Sequence, residues 1–86
     1  MNTLIEYVRV KRGKYKGMPR GVVVATAKNV VGWSFTNLSH GDKFDKETGI
    51  MKATCRANGN VERNMPHDVK SVFERMKNRS VAYFKS

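Results

Sequence analysis

Apolar positions along this chain change their period near residue 36, and the change divides it into two kinds of structure. Upstream, the apolar runs are short, β-branched and closely spaced. Residues 3 to 11 hold Thr3, Ile5, Tyr7, Val8 and Val10 and are stopped by Gly13, which predicts a first strand. Gly21 opens Val22-Val23-Val24-Ala25-Thr26-Ala27, a nearly unbroken apolar run of the kind that lies centrally in a small sheet. Lys28 and Asn29 then separate it from Val30 to Phe35, where Val31, Trp33 and Phe35 share one face. Two polar residues between β-rich runs, the second an Asn that tolerates positive φ, predict a tight hairpin. The first half therefore reads as a three-stranded antiparallel meander.

Downstream the period lengthens. Asn37 to Gly41 reads as a loop, and Asp42 can cap a helix in which Phe44, Thr48, Met51 and Cys55 fall within about 60° of one another at 100° per residue. Gly49 disfavours that helix by about 1 kcal/mol relative to Ala, so a short helix ending near Thr48 and a strand over Ile50 to Arg56 compete with it. Asn58-Gly59 is a stop signal for either. The last element is a helix beginning near Pro66, with Asp68 at its positive end and a stripe of Val69, Val72, Phe73, Met76, Tyr83 and Phe84. The expected fold is α+β. A three-stranded antiparallel sheet from the N-terminal half is packed by one or two helices from the C-terminal half, in a single small basic domain spanning 1–86. There is no internal repeat and no linker long enough to separate two domains.

Charge adds what the periodicity leaves out. The chain carries a formal net charge of +10 over 86 residues, and its first 36 positions hold seven basic residues against one acidic. Five of the seven, Lys11, Arg12, Lys14, Lys16 and Arg20, lie in or beside the glycine-rich stretch Arg12 to Gly21. Such a loop cannot be a core element, so its charge faces solvent or a polyanion. The balance leans toward nucleic acid, an acidic protein surface or an anionic membrane. The lone Cys55 forms no intrachain disulfide, and no apolar run reaches the length of a membrane span. Together these predict a soluble protein of the cytoplasm.

Catalytic constellations are not visible. His40 and His67 are not spaced as a metal-ligand pair, and one cysteine supplies no CxxC set. His40 beside Asp42 reads as a solvated loop, and the place of Cys55 on the apolar stripe predicts a buried structural thiol. Gly13, Gly17 and Gly21 do not form a dinucleotide fingerprint, because the pattern is not GxGxxG and a valine strand follows in place of a helix. The chain is expected to be neither an enzyme nor a cofactor carrier.

Two resemblances bear on function. Residues 8–24 resemble the KOW motif of ribosomal proteins and transcription elongation factors, with Gly13, Lys16, Gly17 and Gly21 at the motif's positions. Met18-Pro19-Arg20 puts one more residue between the last two glycines than that pattern has. The resemblance implies an SH3-like β-barrel portion that contacts RNA, ribosomes or RNA polymerase. Val31-Gly-Trp-Ser-Phe35, Asp42 to Ile50, Cys55-Arg-Ala57 and the terminal Ala82-Tyr-Phe-Lys85 look like a pattern in small basic proteins of tailed bacteriophages. That likeness implies an action on transcription or the nucleoid, in the host cytoplasm.

The leading expectation is a nucleic-acid-binding module of little sequence specificity. Lys11, Arg12, Lys14, Lys16 and Arg20 hold phosphates in it, and Tyr15 stacks on a base. The alternative is a protein that docks on an acidic host protein such as RNA polymerase or a nucleoid-associated protein, with Tyr15, Arg20 or Tyr83 as anchors. No membrane partner is expected, because a chain this short needs the apolar face of its last helix for the core. Trp33 and Phe35 would make an aromatic platform on an open sheet face, but their expected place is beneath that helix. Arg75 and Arg79, one turn apart, are expected on a salt-bridged or hydrated face.

Overall fold

A computed structural model describes residues 3–36, 45–59 and 65–84. Strands β1 (Leu4–Arg9), β2 (Pro19–Ala27) and β3 (Val30–Phe35) are followed by helices α1 (Lys46–Gly59) and α2 (His67–Tyr83). The sheet is antiparallel in the order β1-β2-β3, with Tyr7 opposite Val22 and Val23 opposite Trp33. This is the expected α+β meander with helices. Among the described residues β1 and β3 are both edges, and their three-stranded sheet does not close into the SH3-like barrel that the KOW likeness implies.

Alternation along the central strand explains its unbroken apolar run. Val23 and Ala25 point to one face, where Val8, Val31 and Trp33 meet Val69, Phe73 and Met76 of α2. Val22 and Val24 point to the other, where Ala53 of α1 closes over them beside Tyr7 and Ile50. Each face of the sheet thus has its own helix, and Val22 through Ala25 are fully buried. Trp33 lies in the α2 core and Phe35 packs against it, which places both under the helix as expected.

The turn at Lys28-Asn29 forms as the sequence predicts. Asn29 has a φ of 61°, a conformation that few side chains other than Asn tolerate. Its N–H donates to Ser80 Oγ at 3.0 Å, and the Ser80 hydroxyl in turn donates to the Lys77 carbonyl at 2.7 Å. A fully buried serine near the end of α2 therefore ties that helix to the β2–β3 turn.

Helix α1 resolves the competition over residues 50–56 in favour of helix, but with a different face inward. Met51 is 61% exposed and Cys55 is also exposed, so neither lies on a buried stripe and the thiol is not structural. The buried positions are Gly49, Ala53 and Ala57, nearly the opposite side of the helix. Their partner is Gly32 of β3. A Cβ added at Gly32 would collide with the carbonyl oxygen of Ala53 and the backbone nitrogen of Ala57. The two backbones therefore touch, and only residues without bulk can line the contact. Beside it, the buried Ser34 hydroxyl donates to the Gly49 carbonyl at 2.8 Å, which satisfies both groups.

Asp42, Phe44 and the loop at 37–41 lie outside the described residues. The cap that is seen belongs to Asp45. Its carboxylate accepts the backbone N–H of Glu47 at 3.1 Å and of Thr48 at 3.4 Å, and the Thr48 hydroxyl at 3.0 Å. In α2, Pro66 is the N-cap, and Asp68 accepts the Val69 N–H at 3.0 Å. Tyr83 departs from the expected stripe, for it is 51% exposed while Ser80 takes the buried place one turn earlier. The Tyr83 ring meets that of Phe84 edge-on, with centroids 4.9 Å apart.

Substituting Gly32→Ala should lower the unfolding free energy in urea by about 3 kcal/mol, the upper end of overpacking costs, because both colliding atoms are backbone. Gly13→Ala, where φ is positive but the space is open, should cost only about 1 to 2 kcal/mol. Equal losses would contradict the backbone contact.

The Asp45 carboxyl is held below its ordinary 3.8, chiefly by the Thr48 hydroxyl and then by the Thr48 N–H. A depressed folded-state pKa supplies stability that is complete above the unfolded value and is lost as pH falls through the folded one. Asp45→Ala should therefore melt below the native chain at neutral pH. The gap should close in melts run progressively further below pH 3.8.

Candidate nucleic-acid interface

The glycine-rich stretch is a closed hairpin, and its order begins in the backbone. The Val10 N–H donates to the Met18 carbonyl at 2.9 Å, and the Gly17 N–H donates to the Val10 carbonyl at 2.8 Å. Within that bracket the Lys16 N–H reaches the Gly13 carbonyl at 3.2 Å, and the Met18 N–H reaches that of Tyr15 at 2.9 Å. Gly13 and Gly17 both have φ of 87°, so each supplies the left-handed residue that a turn requires. Arg9 adds a brace, its guanidinium donating to the Gly17 carbonyl at 2.9 Å. β2 consequently starts at Pro19, two residues before the expected opening at Gly21. Proline is tolerated there as the first residue of its strand.

The six sequence-predicted site residues separate into two groups. Lys11, Arg12, Lys14 and Lys16 are exposed around the turn. No ion pair among the described residues holds any of them. Tyr15 is half-buried at the same tip, with the Lys14 ammonium 5.7 Å from its ring centroid. The tip thus combines four exposed cations with one partly shielded aromatic.

Arg20 belongs elsewhere. It lies in β2, its side chain only 28% exposed, with the guanidinium 4.3 Å from the Phe35 ring centroid and 3.4 Å from the Asp68 carboxylate. Its Nε is buried without a hydrogen-bond partner. A planar cation wedged between a strand aromatic and the first turn of α2 joins sheet to helix.

Other cations are also occupied. Glu6, the one acidic residue of the first 36, accepts Arg75 at 2.6 Å and Arg79 at 3.1 Å. This is the salt-bridged face, and the Glu6 carboxylate raises the Arg75 pKa. Arg56 reaches the edge strand, donating to the Trp33 carbonyl at 3.1 Å with its guanidinium 4.5 Å from the indole centroid. Sequence reasoning missed Glu6 as a neutralising group, because the pairing joins the first strand to the last helix. A cleft of about 300 Å³ near Thr36 holds Asp45 and Lys52, but the aspartate is committed to its cap.

His67 is exposed at the start of α2, and His40 lies outside the described residues. Among the described residues no three His, Cys, Asp or Glu side chains come together, and no helix is long and apolar enough to cross a membrane. Comparison with protein-family models, curated proteins and solved structures finds no match to this chain.

Arg20→Ala should lower the unfolding free energy by about 1 to 2 kcal/mol through loss of the ring stack and the Asp68 pair. Lys14→Ala and Lys16→Ala should each stay within about 0.5 kcal/mol of the native chain. Chemical denaturation of the three variants checks the division, and a neutral Arg20→Ala would contradict it.

Proposed function

We propose that this chain is a nucleic-acid-binding module that grips phosphates with Lys11, Arg12, Lys14 and Lys16 at the tip of its first hairpin. One observation carries the reading. Four exposed cations crowd residues 11–16, on a turn fixed by its own backbone hydrogen bonds, while Arg20, Arg75 and Arg79 have carboxylate partners. Four like charges on six consecutive residues repel one another, with a Debye length of about 8 Å at physiological salt, until a polyanion neutralises them. Binding to phosphates relieves that repulsion and releases counterions.

Little sequence specificity is expected of such a tip. Three of the four cations are lysines, flexible point charges without the fork geometry that reads base edges, and Arg12 is the one guanidinium among them. Tyr15 supplies a ring for stacking on an unpaired base, a contact worth about 1 to 3 kcal/mol in single-strand binders. Arg20 serves as the anchor that holds the hairpin base to α2. An action on transcription or the nucleoid, as the phage likeness implies, suits a binder of this kind.

Affinity for single-stranded DNA, duplex DNA and RNA across a salt titration tests the proposal. Arg12, Lys14 and Lys16 changed together to alanine should weaken binding and flatten the duplex log–log salt slope by about 2 to 3 units. An unchanged slope would overturn it.

A further inference from the structure

A second surface lies where the base of the hairpin meets α2. Val8 and Val10 on the strand side and Val72 and Arg75 on the helix line a groove of about 250 Å³. β1 is an edge strand with β2 as its sole neighbour among the described residues. The N–H and C=O of Val10 both bond across the hairpin. In an antiparallel ladder bonded and outward residues alternate, so the backbone groups of Arg9 and Lys11 point away from the hairpin partner. Both residues border the groove.

We propose that this groove accepts an extended acidic segment of another protein, which adds as a strand beside Arg9 to Lys11. An edge with outward backbone groups gives such a segment its hydrogen bonds, and an adjacent apolar floor gives it a place for alternate side chains. Charge selects the occupant. Arg9, Lys11 and Arg75 rim the groove against one carboxylate, Asp68, which is already paired with Arg20. Arg75 meets Glu6 through one nitrogen and keeps other N–H donors for a second carboxylate. A second copy of this chain would set like charges opposite one another along the new strand pair, which is destabilising. A nucleic-acid strand has no amide ladder to offer the edge. The groove shares Lys11 with the hairpin tip but uses none of Arg12, Lys14 or Lys16, so alanine at those three positions separates the two sites.

The test uses the full chain and a labelled peptide of alternating aspartate and valine, with amide shifts followed by NMR. Saturable binding is expected, with the largest shifts at Arg9, Lys11, Val72 and Arg75. The same peptide N-methylated at every second residue keeps its charge but loses its edge hydrogen bonds, and should bind about tenfold more weakly or worse. Val72→Asp, which sets a carboxylate on the floor, should also abolish binding, and the methylated peptide keeps the test independent of that variant's folding. Equal binding of the two peptides would reduce the effect to bulk charge attraction and overturn the proposal. So would shifts centred on residues 12–16, or a concentration-dependent dimer through β1 that excludes the peptide.

Discussion

The backbone of α1 rests directly on the backbone of β3 at Gly32, and the arrangement of the whole chain follows from that contact. A helix can approach a strand so closely only where neither side carries bulk, which is why Gly49, Ala53 and Ala57 form its inner line. The close approach brings α1 over Val22 and Val24 and lets the Gly49 carbonyl meet the Ser34 hydroxyl. With α2 on the opposite face, β2 and β3 are covered from both sides, and β1 packs chiefly against α2. A sheet this small is then stable without closing on itself or needing a disulfide.

Burial on both faces also sorts the charges. The acidic side chains near the sheet have structural partners: Glu6 holds two arginines of α2, Asp68 holds Arg20, and Asp45 caps α1. The cations of the hairpin tip form no ion pair with any of the three. Four cations that are unpaired among the described residues therefore crowd onto one short hydrogen-bonded loop, with the core and its ion pairs elsewhere. On the proposed function, the tip exchanges counterions for phosphate without disturbing the packing.

Much of this was legible in the sequence, and the misses have a common cause. The strands, the Asn29 turn and the last helix declare themselves through period, β-branching and a residue that accepts positive φ. Helix α1 was legible as an element but not as a face. Glycine and alanine carry almost no hydrophobic signal, so Met51 and Cys55 drew the expected stripe to the solvent side. The two groups of hairpin cations were likewise indistinguishable by type. What sets Arg20 apart is Phe35 across the β2–β3 pair and Asp68 on α2, and neither contact shows in local spacing.

The most direct measurement is a map of backbone amide shifts as a short single-stranded DNA is added to the full chain. The account predicts saturating changes confined to residues 11–17, with the amides of Val22 to Ala25 and of α1 unmoved. Changes centred on α1 or along α2, with the hairpin silent, would contradict the assignment of the tip as the binding surface.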